Sequence, residues 1–362
     1  MAEKKLKVLI IADSLTNGGA ERQLALLVKY LPVEWVRQVW SLDGGVFEDN
    51  IRSMGVNVNI SKRFCRFDVS PAISLWKTIK SWRPDVVHSW GWMATAAAGP
   101  ICRIRKIPLI DGTIRSGWVP PRRGFANRWS MKWASVIVAN SQVGLQAWGI
   151  PSAKGRVIYN GIDPQCHDLS SKMQPKSENV AKVVMTGRMV ATIKDFSTFL
   201  DAARLLVNSS NYRWQFFAVD NGPDRKRLID RNEDLIAEGQ VVFIDGKTDV
   251  LPIIHDAHIG VLVSNPAIQE GCSNSIMEYM ACGMPVICGD SGGNREVVID
   301  GVTGFIIPSG NPKALTEKLL DLREDVALAQ RMGEAGRERI LHHFNVEKMV
   351  NSYVDVYNCL RR

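Results

Sequence analysis

Residues 270–288, EGCSNSIMEYMACGMPVIC, set two carboxylates, Glu270 and Glu278, on either side of a polar helix start. The spacing leaves Glu270 in a loop and carries Glu278 about one turn into a helix that begins near Ser273 to Ser275. At such a start the first backbone N–H groups have no intrahelical partner and the helix dipole adds positive potential. The backbone around Gly271, Ser273, Asn274 and Ser275 therefore favours an anion such as a diphosphate. A carboxylate on each side can accept hydrogen bonds from hydroxyls attached to that phosphate. Phosphate at the helix mouth with hydroxyls beside it describes a nucleotide-sugar. Without context the same two glutamates are an ordinary solvated helix start. The context is that IGVLVSN (259–265) and PVIC (285–288) read as strands, and in an open α/β sheet ligands bind beyond the carboxyl ends of strands.

Two cations point the same way. TGRMVATIKDF places Arg188 and Lys194 after another strand, where they are suited to neutralise a diphosphate that leaves. Surface pairing with Asp195 is the plain alternative. After the first strand, SLTNGGAERQL brings Gly18 and Gly19 to a helix start, where backbone can approach an anionic ligand closely. This is not a dinucleotide fingerprint, because the G-x-G-x-x-G spacing is missing.

The elements that must position these residues alternate along the chain. KVLIIAD (7–13), VRQVWSL (36–42), VNVNI (56–60), DVVHSW (85–90), PLIDGTI (108–114) and VIVAN (136–140) read as strands, with segments of helical spacing between most of them. A polar, aperiodic stretch at 164–180 reads as a linker. The alternation then restarts with KVVMTGR, WQFFAVD, VVFID, IGVLVSN and PVICGD. This pattern predicts two α/β domains of parallel strands, 1–165 and 166–344, facing a cleft. The amphipathic tail 345–362 is free to pack back on the first domain.

Composition narrows the setting. A hydrophobic fraction of 46% and a charged fraction of 23% suit a globular enzyme, and 362 residues exceed one core. Seven scattered cysteines and an opening apolar run too short for a signal peptide predict a cytoplasmic protein. The net charge of +8 is unevenly shared: 23 Lys and Arg face 11 Asp and Glu in residues 1–165, and 22 face 26 in the remainder. Ten of the eleven Trp also precede residue 150. Basic residues interleaved with Trp around 103–106 and 118–133 suit the anionic inner face of a plasma membrane; a polyanion, or a Trp-rich core under solvated charge, are the alternatives. No basic helix or aromatic nucleic-acid motif is recognisable, so nucleic acid is not an expected partner.

GGAER, NGID (160–163), GR with a following KD, the Glu-x7-Glu segment ending in ACGMPVI, GGNREVV and GVTGFIIP together resemble, in order and over almost the whole chain, the retaining glycosyltransferases of group 1, family 4. The resemblance implies the GT-B fold of two Rossmann-like domains and no metal or other cofactor. The donor, a UDP- or GDP-sugar, would bind mainly the second domain, and a saccharide or polyprenyl-linked acceptor the first, in bacterial surface polysaccharide synthesis. It assigns Glu270 to the hydroxyls of the transferred sugar, Glu278 to the ribose, and Arg188 and Lys194 to the departing diphosphate. Gly18, Gly19, Gly187 and the backbone of Gly271 to Ser275 would hold sugar and phosphate. His88, at the end of DVVHSW, is a candidate near the sugar or a structural residue. Three departures stand out. Arg188 and Lys194 are one residue further apart than is commonest, which predicts a bulged MVATI loop. Tyr279 replaces a small residue, which would narrow the nucleotide pocket. Arg115 stands where many relatives carry His; it is placed with Trp118 on the acceptor side, with the donor phosphate as its alternative partner. An epimerase of the same fold and a non-catalytic nucleotide-sugar-binding subunit are the alternatives.

Overall fold

The structure, a computed structural model, describes residues 5–65, 68–121, 124–163, 180–210, 212–246, 250–265 and 267–361. The chain divides into two compact units, Met1–Gly161 with Val346–Arg362, and Ile162–Asn345. The linker expected at 164–180 lies almost wholly outside the described residues.

The first unit is built on strands β1 (Lys7–Ala12), β2 (Val36–Ser41), β3 (Asn57–Ile60), β4 (Val86–Ser89), β5 (Leu109–Ile114), β6 (Val136–Ala139) and β7 (Gly155–Val157). They pair in the order β3-β2-β1-β4-β5-β6-β7, all parallel. Helices α1 (Gly19–Tyr30), α2 (Val46–Ser53), α3 (Ser70–Trp82), α4 (Trp92–Arg105), α5 (Gly124–Met131) and α6 (Gln142–Trp148) alternate with them. β1 reads KVLIIA with all but its first residue buried, the continuous apolar run of a strand covered on both faces. Chain direction along the sheet reverses between β1 and β4, so the loops after these two strands diverge and leave a crevice at the sheet's carboxyl edge.

The second unit repeats the plan with β8 (Val180–Thr186), β9 (Arg213–Val219), β10 (Val241–Ile244), β11 (Ile259–Leu262), β12 (Val286–Gly289) and β13 (Gly304–Ile307), ordered β10-β9-β8-β11-β12-β13 and again parallel. Its helices are α7 (Phe196–Ser209), α8 (Arg225–Asp230), α9 (Glu233–Ala237), α10 (Leu251–Asp256), α11 (Asn274–Ala281), α12 (Asn294–Val297), α13 (Pro312–Glu324) and α14 (Val326–His343). Their starts are set locally. Asp195, Asn311 and Asp325 each accept from the backbone N–H three residues on, at 3.0, 3.0 and 2.8 Å. The reversal here falls between β8 and β11, the strands that precede Lys194 and Glu270. Two strands, the three-residue β7 and β13, go unannounced in the sequence; β13 is masked by the glycines and turn residues that flank FII.

Tyr279 does not line a pocket. Its ring is fully buried against Gly260 of β11, where a Cβ would drive into it, and its hydroxyl accepts from Thr186 N at 2.6 Å and donates to Thr186 Oγ1 at 2.9 Å. The bulk that replaces a small residue is thus taken up by a glycine on the preceding strand, and the fully buried ring does not narrow a pocket as expected from sequence.

The tail forms α15 (Val346–Leu360), which belongs to the first unit. Val346, Met349, Val350, Tyr353 and Tyr357 enter the same core as Val8, Ile10, Leu24 and Val28. Near the point where the chain leaves that unit, the buried Gln23 side chain donates to Gly161 O and accepts from Gly161 N, both at 2.9 Å. The tryptophans are divided: Trp40, Trp90 and Trp148 are buried, whereas Trp118 and Trp129 are 42% and 47% exposed. Among the described residues no helix is long and apolar enough to cross a membrane.

Since α15 closes this core with two large rings, Tyr357→Ala is expected to destabilise the first unit by about 3–5 kcal/mol. Urea unfolding with hydrogen exchange would show it as lost protection in β1 and β4 while the strands of the second unit keep theirs.

Candidate active site

The site of the second unit is assembled by backbone first. β8 ends at Thr186, and Gly187 turns the chain at φ +146°, a left-handed conformation that favours glycine. Thr186 is held from α11, since its Oγ1 donates to Ser275 Oγ at 2.9 Å and its carbonyl accepts from the same hydroxyl at 3.2 Å. Ser275 therefore contributes its backbone N–H, not its side chain, to the helix mouth. Beyond Gly187, the MVATI loop folds into a tight turn in which Val190 O accepts from both Ile193 N (2.8 Å) and Lys194 N (2.9 Å). Met189 N bonds Asn221 O at 2.9 Å, and Ala191 N bonds Asp224 Oδ2 at 2.7 Å. The additional residue between Arg188 and Lys194 is absorbed in that turn, which brings Lys194 back beside the end of β11 through an isolated bridge to Ser264.

There Lys194 meets Glu270. Nζ lies 2.7 Å from Glu270 Oε1, and both side chains are 14% exposed. The same oxygen accepts from Ser264 Oγ at 2.6 Å. Burial pushes the Glu270 carboxyl up, but the charge and hydrogen bond of Lys194, joined by the Ser264 hydroxyl, outweigh it and hold the group below the ordinary glutamate range. An ammonium has three donors, and among the described residues Lys194 spends one, on Glu270. Both bonds to the carboxylate fall on Oε1, which leaves Oε2 for another donor. Arg188 is exposed and has no partner among the described residues.

The backbone of Glu270 is clamped by the segment after β12. Glu270 N donates to Ser291 Oγ at 3.2 Å, Ser291 Oγ donates to Ile268 O at 2.6 Å, and Gly293 N donates to Glu270 O at 2.8 Å. Gly292 sits at φ +50° with no room for a Cβ, which would strike the Glu270 carbonyl. Ser264, Ser291 and Gly292 are thus positioning residues that the sequence reading missed; only the paired glycines of GGNREVV hinted at them. α11 starts beside them with Ser273 as an extended N-cap that makes no side-chain capping bond, and the buried Gly271 precedes it. Asn274 opens the first turn, and Glu278, 6% exposed, lies in the second. Arg188, Lys194, Glu270 and the α11 start thus gather at the carboxyl ends of neighbouring strands, while Glu278 is set inward.

The first unit places its candidates differently. Gly18 is the extended N-cap of α1, but the Glu21 carboxylate lies over it, held by Ser14 Oγ at 3.0 Å. A first-turn acid complements the helix dipole, so the anion position expected at Gly18 and Gly19 already carries a negative charge from the chain itself. His88 is fully buried. Its Nδ1 lies 2.7 Å from the Tyr357 hydroxyl and accepts from Trp90 Nε1 at 3.3 Å, with the rings of Trp90, Tyr353 and Tyr357 around it. Burial, with the Arg115 charge adding to it, drives its pKa well below the ordinary value. His88 is therefore no solvent-facing base; its Nδ1 is taken up between β4 and α15. Arg115 stacks on Trp90 with Cζ 3.9 Å from the ring centroid, and Trp118 stands exposed beyond it.

Known proteins share this plan. The profile of the glycosyl transferases group 1 matches residues 168–339, and that of glycosyltransferase family 4 matches 17–165. The chain is 26% identical over 221 residues to N-acetyl-alpha-D-glucosaminyl L-malate synthase of Bacillus anthracis, a match that spans 57% of this chain and 54% of that enzyme, about half of its length. It is 21% identical over 336 residues to the UDP-Gal:alpha-D-GlcNAc-diphosphoundecaprenol alpha-1,3-galactosyltransferase of Escherichia coli, covering 86% of this chain and 84% of that one. Among solved structures, HepE of Anabaena, crystallised with UDP, superposes with a TM-score of 0.83 over 98% of this chain and 100% of its own, at 19% identity. WaaG, a glycosyltransferase involved in lipopolysaccharide biosynthesis, superposes at 0.72 over 97% and 99%, at 13% identity. Two parallel α/β sheets and two profiles that together span most of the chain agree: this chain belongs to the group 1 glycosyltransferases and is a transferase of the GT-B fold.

Proposed function

We propose that the chain moves a hexose-type sugar from a UDP- or GDP-sugar to a lipid-linked or saccharide acceptor in bacterial surface polysaccharide synthesis, with retention of anomeric configuration and without a metal ion. The observation that carries this reading is the Lys194–Glu270 pair at the carboxyl edge of the second sheet, beside the uncapped start of α11. A diphosphate at that helix start would meet the positive end of the α11 dipole, the two remaining donors of Lys194 and the exposed Arg188. Negative charge grows on the leaving diphosphate as the sugar departs, and these cations stabilise it more in the transition state than in the ground state. Glu270 would offer Oε2 to a sugar hydroxyl, held in place through Oε1 and its clamped backbone. No strong base is needed if the acceptor attacks from the face that the phosphate vacates, because the phosphate takes the acceptor's proton. The nucleotide-sugar donor is further supported by the UDP complex of HepE and by the UDP-Gal named for the Escherichia coli relative.

The acceptor and setting are part of the same proposal. Phe125 and Trp129 on α5 are 82% and 47% exposed and Ile104 on α4 is 69% exposed, among the exposed Arg103, Arg105, Lys106, Arg128 and Lys132. Apolar rings within a basic surface suit anionic headgroups on the cytoplasmic leaflet, where a polyprenyl-linked acceptor would lie.

In an assay of sugar release from UDP- and GDP-sugars, Lys194→Ala is expected to lower kcat about 100- to 1,000-fold, and excess chelator to leave the wild-type rate unchanged. A rate abolished by chelator would reject metal independence. The pair also has an acid signature: a carboxylate whose folded pKa is depressed contributes stability that is complete above its ordinary value and is lost as pH falls through the lowered one. The urea midpoint of the second unit should therefore drop below about pH 4 in wild type and show a flatter acid limb in Glu270→Gln. With phosphatidylglycerol vesicles at low salt, wild type should float and the double variant Phe125→Ser, Trp129→Ser should float less; wild type left at the bottom of the gradient removes the membrane part of the proposal.

A further inference from the structure

One group of polar atoms is left over in the first unit. His88 Nε2, Arg115 Nε and Arg115 Nη2 are buried atoms without a hydrogen-bond partner among the described residues. Two of them face one point. A Cβ built on Gly112 of β5 would lie 3.0 Å from His88 Nε2 and 3.4 Å from Arg115 Nη2, with Ser89 O at 3.1 Å. Gly112 shares a face of the sheet with His88, because His88 pairs with Ile110 in the parallel register and Gly112 is two residues further on. The glycine therefore leaves a small cradle with two convergent nitrogens on its wall.

The tautomer of His88 follows from its other nitrogen. An indole N–H can only donate, so Trp90 Nε1 at 3.3 Å requires Nδ1 to be the acceptor, and the proton of the neutral ring sits on Nε2. All the unpartnered nitrogens here are then donors: Nε2–H of His88, and Nε–H and Nη2–H of Arg115. Arg115 also carries a permanent charge and forms no ion pair among the described residues. Its neighbour Asp111 accepts instead from Thr113 N at 2.9 Å and is one residue from Gly112, on the opposite face of the strand. Stacking on Trp90 fixes the guanidinium plane, and Trp90 is in turn held by His88 and Tyr353. Convergent, pre-positioned donors that include one positive charge, with the Ser89 carbonyl the acceptor nearest the cradle point, match an oxyanion, which a guanidinium can grip along its Nε–Nη2 edge.

We infer that Arg115, His88 Nε2 and the open face of Gly112 form a subsite for an anionic group, a carboxylate or a phosphate, on the substrate handled by the first unit. The inference rests on the glycosyl-transfer reading and narrows it: the sugar or acceptor that this unit takes is acidic. Arg115 is half-buried and His88 fully buried, so the guanidinium meets the ligand first and the imidazole lies behind it. Tyr353 and Tyr357 of α15 act as positioning residues for His88.

Titration calorimetry on the full chain, at one ionic strength, with glucuronate, glucose 1-phosphate and glucose tests this. One acid should bind wild type about tenfold or more tightly than glucose, the scale of a single charge-assisted bidentate contact. Which acid wins tells carboxylate from phosphate. Arg115→Gln should bring that preference to within about twofold of neutral glucose, and Gly112→Ala, which fills the cradle with Arg115 intact, should do the same. UDP or GDP titrated into Arg115→Gln should bind as to wild type, showing a folded chain. Equal binding of all three ligands to wild type, or a preference that survives in Arg115→Gln, overturns the subsite and makes the cradle a water site. An acid preference lost in Arg115→Gln, in a chain that binds neither UDP nor GDP, would uphold the subsite while rejecting the nucleotide-sugar reading.

Discussion

Neither Lys194 nor Glu270 would be tolerated alone where the structure puts them. Each side chain is 14% exposed, and a charge that deep without its partner costs several kcal/mol. The pair makes the position possible, and much of the second unit is organised to keep it. Lys194 is carried there by a turn closed on Val190, Glu270 by a backbone clamped to Ser291 and Gly293, and the shared oxygen is completed by Ser264. Gly187 and Gly292 occupy left-handed backbone at two bends of this arrangement, where a side chain would be strained or have no space. A site made in this way is rigid before ligand arrives, which favours electrostatic catalysis, since charges already in place need not reorganise as the bond breaks.

The first unit solves a different problem. Its polar groups are drawn around rings: Trp90, Tyr353 and Tyr357 enclose His88, and Arg115 sits over the Trp90 ring. Aromatic walls lower the local dielectric and strengthen each remaining hydrogen bond, while making any unfilled donor expensive. Nitrogens without acceptors among the described residues are the groups that the proposed subsite would satisfy.

Much of the architecture was legible because parallel strands buried on both faces read as continuous apolar runs. KVLIIA, IGVL and VIC fall into this class and were found, whereas β7 has three residues and β13 is flanked by turn glycines, so neither stands out from its surroundings. At the site, Arg188, Lys194 and Glu270 were legible as charged residues following strands. Their supports were not, because Ser264 and Ser291 act through single hydroxyls whose partners are distant in sequence. The surroundings of His88 were hidden for a similar reason. A histidine at a strand end looks available, and only tertiary packing brings Tyr357, 269 residues away, to its Nδ1. Tyr279 likewise looked like an obstruction until Gly260, on a strand it follows, made room for it.

The return of the chain to its first unit has a consequence for synthesis. Residues up to Gly161 leave the ribosome early, yet the core they form lacks Val346, Met349, Tyr353 and Tyr357 until the last helix has been made. The second unit, a single uninterrupted stretch of chain, meets no such delay and can fold while translation continues. The first unit is therefore completed only after the second has been made, and until then its apolar face stays open to aggregation.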